Sequence, residues 1–172
     1  MDKVAAAFDS EVTTPFNGPI EVGLRALIVL NEAYPRSYPL QTLVIFDYML
    51  IHSDDLPDGP SGLHPKTPHR SGELLVRRAV LQTGLTLYQS RGLVDRQYHT
   101  SGMLWTATER SASFVDVLTA DYILALRDRA VWIIEQYGDM HPRLLSAFVR
   151  EHLGEWGAEF ESESILSWEN LQ

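Results

Sequence analysis

One stretch in the middle of the chain constrains the fold more than any other, because helical and strand patterns alternate there at short range. A helical pattern that begins at Ser71 ends at Gly92, a residue typical of helix C-termini. Two short strand patterns follow, separated by turn residues 99–102, and another helical pattern comes after them. This order is typical of a winged helix-turn-helix. We therefore predict a mainly α protein of this class, with a two-stranded wing at about 93–108 and additional C-terminal helices at about 109–157.

The length of 172 residues favours one domain, and 45% hydrophobic residues can supply its core. We predict a single winged-helix domain over residues 1–160, followed by an acidic tail over 161–172. Before the central stretch, one helix is predicted from Pro19 to just before Pro35, and a second from about Pro39. The first helix carries such a wide apolar stripe that we expect it in the core.

The composition excludes several classes of protein. The chain has no cysteine, which excludes thiol catalysis and cysteine-ligated metals and fits a cytoplasmic protein. No apolar stretch approaches the ~20 residues needed to span a bilayer, so we expect no membrane association. The net charge of −9 opposes extensive contact with nucleic acid, because phosphate would be repelled.

No pattern of catalytic residues stands out. The sequence lacks GxGxxG, GxxxxGK[ST], HExxH and GxSxG, and its histidines are not spaced as metal ligands on one helix face. Asp47 interrupts the apolar pattern of the second helix, and we interpret it as a buried acid bonded to a helix end or an arginine rather than as a catalytic group. We therefore expect no enzymatic activity, no catalytic residue, no cofactor and no metal site.

A proline-rich loop and a basic cluster are the candidate interaction sites. Residues 53–70 contain four prolines and two glycines, so we expect no helix there, and the loop is either a binding element or a packed surface loop. We expect the side chains of Arg77 and Arg78 to project away from the apolar face of their helix. The cluster either contacts a partner or DNA or neutralises the acidic flanks of the chain itself. Its candidate residues are Lys66, Arg70, Arg77, Arg78, Arg91 and Arg96.

The C-terminal segment is acidic and aromatic. Six acids and no lysine or arginine occur from Glu151 onward. Large apolar side chains in this segment are costly to leave in water, at about 1.5–3 kcal/mol each. They therefore either pack on the core of the chain or dock on a basic surface of a partner. The candidate docking residues are Phe160, Ile165, Leu166 and Trp168.

Several segments of the chain together carry a family resemblance. They are residues 16–27, 46–53, 63–68, 70–78 and 90–94, Trp132, and residues 154–160. Together these segments resemble the middle component family of bacterial ABC-three component defence systems of the Lamassu kind. The resemblance covers most of residues 16–160 and assigns no function to individual residues.

The resemblance implies a non-enzymatic adaptor subunit of an SMC/Rad50-like ATPase complex in bacterial anti-phage or anti-plasmid defence. Such a subunit would bridge the ATPase and an effector protein such as a nuclease, with DNA reached through the complex. The acidic tail would then dock on the ATPase. The alternative is a free-standing winged-helix DNA-binding transcriptional regulator, which would need a basic face strong enough to bind DNA without partners.

Overall fold

The computed structural model describes residues 17–66, 73–154 and 158. In these ranges the chain forms six α-helices, three β-strands and one short 3-10 helix at Ser53–Asp55. The helices are α1 (Pro19–Ala33), α2 (Leu40–Ile51), α3 (Glu73–Ser90), α4 (Ser111–Asp116), α5 (Asp121–Tyr137) and α6 (Pro142–His152). The strands are β1 (Ser37–Pro39), β2 (Val94–His99) and β3 (Gly102–Ala107). The protein is therefore mainly helical, as predicted.

Helices α1 and α2 form the centre of the hydrophobic core. Ten of the twelve residues of α2 are buried, so neighbouring elements cover this helix on almost every side. Helix α1 begins at Pro19 and ends before Pro35, which confirms the prediction from the sequence. Leu27 of α1, Phe46 of α2 and Trp105 of β3 are each almost completely buried, and they join the helices to the sheet in one core.

Two glycines allow α1 and α3 to cross at close range. A Cβ atom on Gly23 would lie 2.7 Å from Tyr88 Cε2, and one on Gly84 would lie 2.4 Å from the carbonyl oxygen of Pro19. The sequence suggests that Gly84 breaks or bends its helix, but α3 continues through it. The missing side chain instead lets the two helix backbones approach each other.

The sheet has three strands rather than the predicted two. Strands β2 and β3 form an antiparallel hairpin within the predicted wing, and β1 pairs with the other edge of β3 in the order β1-β3-β2. Strand β1 has only three residues, one of them Pro39, so no alternating pattern reveals it in the sequence. Tyr38 anchors it by donating a hydrogen bond to the carbonyl of Gly138 at 3.0 Å.

Hydroxyl groups fasten the base of the hairpin to the helices. Thr108 Oγ1 donates to the carbonyl of Gly92 at 2.7 Å, and Ser111 Oγ donates to the carbonyl of Leu93 at 2.6 Å. Gly92 has φ of +71°, a left-handed conformation that favours glycine at a helix C-terminus. The position of the hairpin relative to α3 is thus fixed at its base.

The additional C-terminal helices are present as α4, α5 and α6. Helix α6 ends at His152. The boundary at residue 160 stays a prediction, and the tail over 161–172 lies outside the described residues. Within the described ranges, none of the helices combines the length and apolar character needed to cross a membrane.

Candidate functional site

The side chain of Arg77 points into the protein, contrary to the prediction that it projects away from the apolar face of α3. The side chain is 12% exposed, and its Nη1 donates to Asp47 Oδ2 at 2.7 Å. Its Nη2 lies 3.7 Å from Glu73 Oε1, one turn earlier on α3. The carboxylate of Asp47 is completely buried, and such a charge requires a paired cation. This requirement outweighs the tendency of an arginine to stay in water.

Arg25 of α1 completes a buried ion network around Asp47. Its Nε donates to Asp47 Oδ1 at 2.6 Å and its Nη2 donates to Oδ2 at 3.0 Å, which is the two-pronged geometry that suits arginine and carboxylate. The side chain of Arg25 is 1% exposed. The network therefore joins α1, α2 and α3 at one point, and it confirms the interpretation of Asp47 as a buried acid bonded to arginine.

The two arginines control the ionisation of Asp47. Burial would raise the pKa of this carboxyl, but the charges and hydrogen bonds of Arg25 and Arg77 outweigh burial and hold the pKa below its usual value. Burial likewise acts to lower the pKa of Arg25, and the pairing with Asp47 reverses that effect and raises it. Asp47 and Arg25 are therefore both charged at neutral pH.

The network continues from Arg25 to the proline-rich loop. Tyr122 of α5 is hydrogen-bonded to Arg25, and its hydroxyl lies 2.6 Å from His64 Nε2. A guanidinium can only donate, so the Tyr122 hydroxyl accepts from Arg25 and donates to a neutral imidazole. Burial and then the charge of Arg25 lower the pKa of His64 to about 4, which keeps the ring neutral.

The described part of the loop, residues 53–66, is packed against the domain. Ser53 Oγ donates to the carbonyl of Pro60 at 3.0 Å, and the backbone N–H of Leu63 donates to the carbonyl of Ile51 at 2.9 Å. The loop also contains the short 3-10 helix, although the sequence predicts no helix there. These contacts support the packed-loop interpretation for residues 53–66.

Lys66, a predicted contact residue, pairs with acids of the same loop. Its Nζ lies 2.7 Å from Asp55 Oδ1 and 3.6 Å from Asp54 Oδ2. Tyr48 donates a hydrogen bond of 2.6 Å to Asp55 Oδ2, so the acid also ties the loop to α2. This arrangement corresponds to the alternative in which the basic cluster neutralises the chain's own acids.

The other predicted contact residues are dispersed. Arg78 is half-buried, and its Nη1 donates to Gln41 Oε1 at 3.0 Å. Arg91 is exposed just after α3, and Arg96 is exposed on β2 with its guanidinium carbon 5.7 Å from the ring centroid of Trp105. Arg70 lies outside the described residues. Within the described ranges, the exposed basic part of the cluster is therefore Arg91, at the end of α3, and Arg96, on the β2–β3 hairpin.

The solvent-facing side of α3 carries no charge over its last three turns. No acidic or basic residue occurs from Ala79 to Ser90. Near the start of the helix, Leu75 and Val76 are 56% and 65% exposed. We define the outer face of α3 by five exposed residues, which are Leu75, Val76, Ala79, Thr83 and Thr86.

The tail residues Phe160, Ile165, Leu166 and Trp168 lie outside the described residues, so their docking stays a prediction. Across residues 17–66 and 73–154, no three histidine, aspartate or glutamate side chains are grouped to hold a metal ion.

Sequence reasoning missed Arg25 and the role of Tyr122. Arg25 stands within the apolar run of α1, as Asp47 stands within that of α2. Two opposite charges in consecutive buried helices are the signal that predicts such a pair, because neither charge is tolerated alone. Tyr122 gives no comparable signal, since its position in the sequence fits the apolar stripe of α5.

Comparison with known proteins identifies the family. No curated protein and no solved structure gives a significant match to the chain. The sequence profile of the ABC-three component (ABC-3C) system Middle Component 2 family matches residues 15–159. This match supports the resemblance to the middle component family but does not extend to the Lamassu kind, and it implies an adaptor role in a multi-component defence system with partner proteins. The chain belongs to the ABC-three component system Middle Component 2 family.

Proposed function

We propose that this protein is the non-enzymatic adaptor subunit of an SMC/Rad50-like ATPase complex of the Lamassu kind, acting in bacterial anti-phage or anti-plasmid defence. It bridges the ATPase and an effector protein such as a nuclease, and DNA is reached through the complex. The observation that carries the proposal is the family match over residues 15–159, because it includes almost all of the described domain. An adaptor acts by binding, so its function resides in its exposed surfaces.

We also propose that the domain is a winged helix. The order of α3, the β2–β3 hairpin and α4 supports this assignment, as does the antiparallel pairing of β1 with β3. In a winged helix, α3 takes the position of the recognition helix and the hairpin is the wing. Both elements are exposed on their outer sides, which makes them the natural surfaces for a partner.

Reconstitution from purified components tests the adaptor role. The ATPase and the effector encoded beside this chain are prepared separately, and each is mixed with the other in the presence and absence of this protein. We expect the tagged effector to retain the ATPase only when this protein is added. Equal retention without it would contradict a bridging role.

The absence of enzymatic activity is tested on the same material. The isolated chain is assayed for ATP hydrolysis and for cleavage of single- and double-stranded DNA, with the reconstituted complex as the positive control. We expect activity in the complex alone. Turnover by the isolated chain that a single substitution abolishes would refute the proposal.

A free-standing DNA-binding regulator is the second candidate, and the exposure of Arg91 and Arg96 favours it. DNA binding by the isolated chain should then weaken steeply with salt and be lost when both residues are changed to glutamate. The matched control is Arg143→Glu with Arg150→Glu on α6, which changes the net charge equally on exposed positions of another helix. Salt-insensitive or absent DNA binding by the isolated chain would leave the adaptor role as the better proposal.

A further inference from the structure

We infer that the outer face of α3 docks a helix of a partner protein and does not contact nucleic acid. The inference rests on the proposed adaptor function and assigns one surface to it. The partner helix has an uncharged, apolar edge, and it belongs to a different protein of the same system.

The outer face is more apolar than its sequence indicates. Thr83 Oγ1 donates to the carbonyl of Ala79 at 3.0 Å, and Thr86 Oγ1 donates to the carbonyl of Gln82 at 2.9 Å. Each hydroxyl proton is therefore already used within the helix. What the two threonines add to the exposed surface is chiefly their methyl groups, next to Ala79 and the side chains of Leu75 and Val76.

The charge pattern excludes DNA as the occupant. Phosphate contacts depend on lysine, arginine and polar donors, and they supply much of the affinity of nucleic-acid binding. From Ala79 to Ser90 no residue is charged. The two arginines at the start of the helix have partners in the protein, since Arg77 pairs with the buried Asp47 and Arg78 donates a hydrogen bond to Gln41. A recognition helix with these residues has no cation in its last three turns to meet a phosphate group.

The spacing of the outer face fits another helix. Val76, Ala79, Thr83 and Thr86 recur at intervals of three, four and three residues, the spacing by which helices pack side by side. Their side chains are short, so a second helix can approach closely. The flanking Gln82 is exposed and uncharged, which favours a partner edge that is also uncharged.

The net charge of the chain selects a different protein rather than a second copy. Two copies with a charge of −9 each would repel one another over long range. A heterologous partner is also what membership in a multi-component system implies.

The test uses the reconstituted mixture of this chain with the ATPase and effector of its own system. The probe variant is Ala79→Glu with Thr83→Glu, which adds two carboxylates to the outer face. The matched control is Ala112→Glu with Thr119→Glu, which makes the same replacements at exposed positions in and after α4. We expect the probe variant to bind its partner about tenfold or more weakly, because a docked helix would bury unpaired charge, and the control to bind normally.

A second substitution separates the methyl surface from the hydroxyl groups. Thr83→Val keeps the shape and removes a hydroxyl that already bonds within the helix, so we expect it to preserve partner binding. Loss of binding in this variant would show that the partner uses the hydroxyl, and it would overturn the apolar docking mode.

Each alternative occupant of the outer face predicts a different experimental result. Normal partner binding by the probe variant refutes the inference, and failure of the wild-type chain to bind either component refutes the proposed function itself. A fall of the thermal midpoint by several degrees in the probe variant means that this chain's own residues cover the face. Conversion of a wild-type dimer to a monomer assigns it to self-association, and selective loss of DNA binding assigns it to nucleic acid. Each of these three results overturns the inference.

Discussion

Removal of the buried carboxylate of Asp47 should destabilise the protein more than removal of any exposed acid. The substitution Asp47→Ala leaves Arg25 with its side chain 1% exposed and without its counter-charge. Breaking a buried pair by removing one partner typically costs about 3–5 kcal/mol. Domains are stable by only about 5–15 kcal/mol, so the loss is a large part of the total.

A surface ion pair provides the internal control. Arg127 and Asp116 lie 2.8 Å apart, similar to the buried pair, but their side chains are 35% and 62% exposed. Pairs of this kind contribute about 0.2–1 kcal/mol, because water screens the charges. The variant Asp116→Ala should therefore cost at most about 1 kcal/mol. The difference between the two predicted losses of stability is therefore due to burial and not to the distance between the charged atoms.

Urea unfolding followed by circular dichroism measures both variants at neutral pH. The double variant Arg25→Met with Asp47→Leu should recover most of the lost stability, since buried pairs replaced by apolar groups of similar volume are often neutral. The remaining cation, Arg77, is 12% exposed and still has the carboxylate of Glu73 at 3.7 Å. Equal free energies of unfolding for Asp47→Ala and Asp116→Ala would refute the reasoning.

The pH dependence of the same pair has a defined sign. The pKa of Asp47 is lower in the folded protein than in the unfolded chain, so its stabilising effect is present above the unfolded value of about 4 and is lost as the pH falls through the folded value. The difference in stability between wild type and Asp47→Asn should therefore narrow below about pH 4. A difference that stays constant down to pH 3 or so would show that the charge is not the cause.

Three further predictions follow from other contacts. Gly84→Ala should lower the free energy of unfolding in urea by about 1–3 kcal/mol, although alanine has the better helix propensity. The reason is that the new Cβ would meet backbone atoms of α1, including Gly23 Cα at 2.8 Å. A higher free energy of unfolding would contradict this prediction. His64, hydrogen-bonded to Tyr122, has a pKa of about 4 in the folded protein, which is below its value in the unfolded chain. The unfolded chain therefore binds the proton first, and the free energy of unfolding should decrease as the pH falls from about 6.5 to 4. The variant His64→Gln should show a smaller decrease when the free energy of unfolding is measured over the same pH range. Arg77→Glu should lower the thermal midpoint rather than leave folding intact, because it places a carboxylate beside a buried one, and an unchanged midpoint would place this side chain in solvent.

Most helices could be predicted from the sequence because their signals are local. Pro19 and Pro35 bracket α1, and Gly92 marks the end of α3 through its left-handed conformation. The hairpin was predictable for the same reason, since its turn and its strand residues are adjacent in the chain. Strand β1 was not, because three residues next to a proline form a strand only when β3 is placed beside them.

The candidate site was less predictable than the fold. The charge count identified a basic central segment, but it could not show that Arg77 turns inward or that Lys66 pairs with Asp55. The charge count also could not show that the exposed side of α3 is uncharged, because the packing of the helix decides which of its sides is exposed. The number of charges in a segment does not indicate whether a given side chain points into the protein or into solvent.

The sequence by itself determined the helical class, the hairpin, the absence of cysteine and the family, since each depends on residue identity and short-range order. The tertiary structure alone decided which charges are buried. Asp47 and Arg25 are 22 residues apart in the chain. Only the packing of α2 against α1 brings Arg25 Nε to 2.6 Å from Asp47 Oδ1, where both side chains are almost completely buried. In water the same two groups would interact weakly, and burial makes each of them necessary to the other.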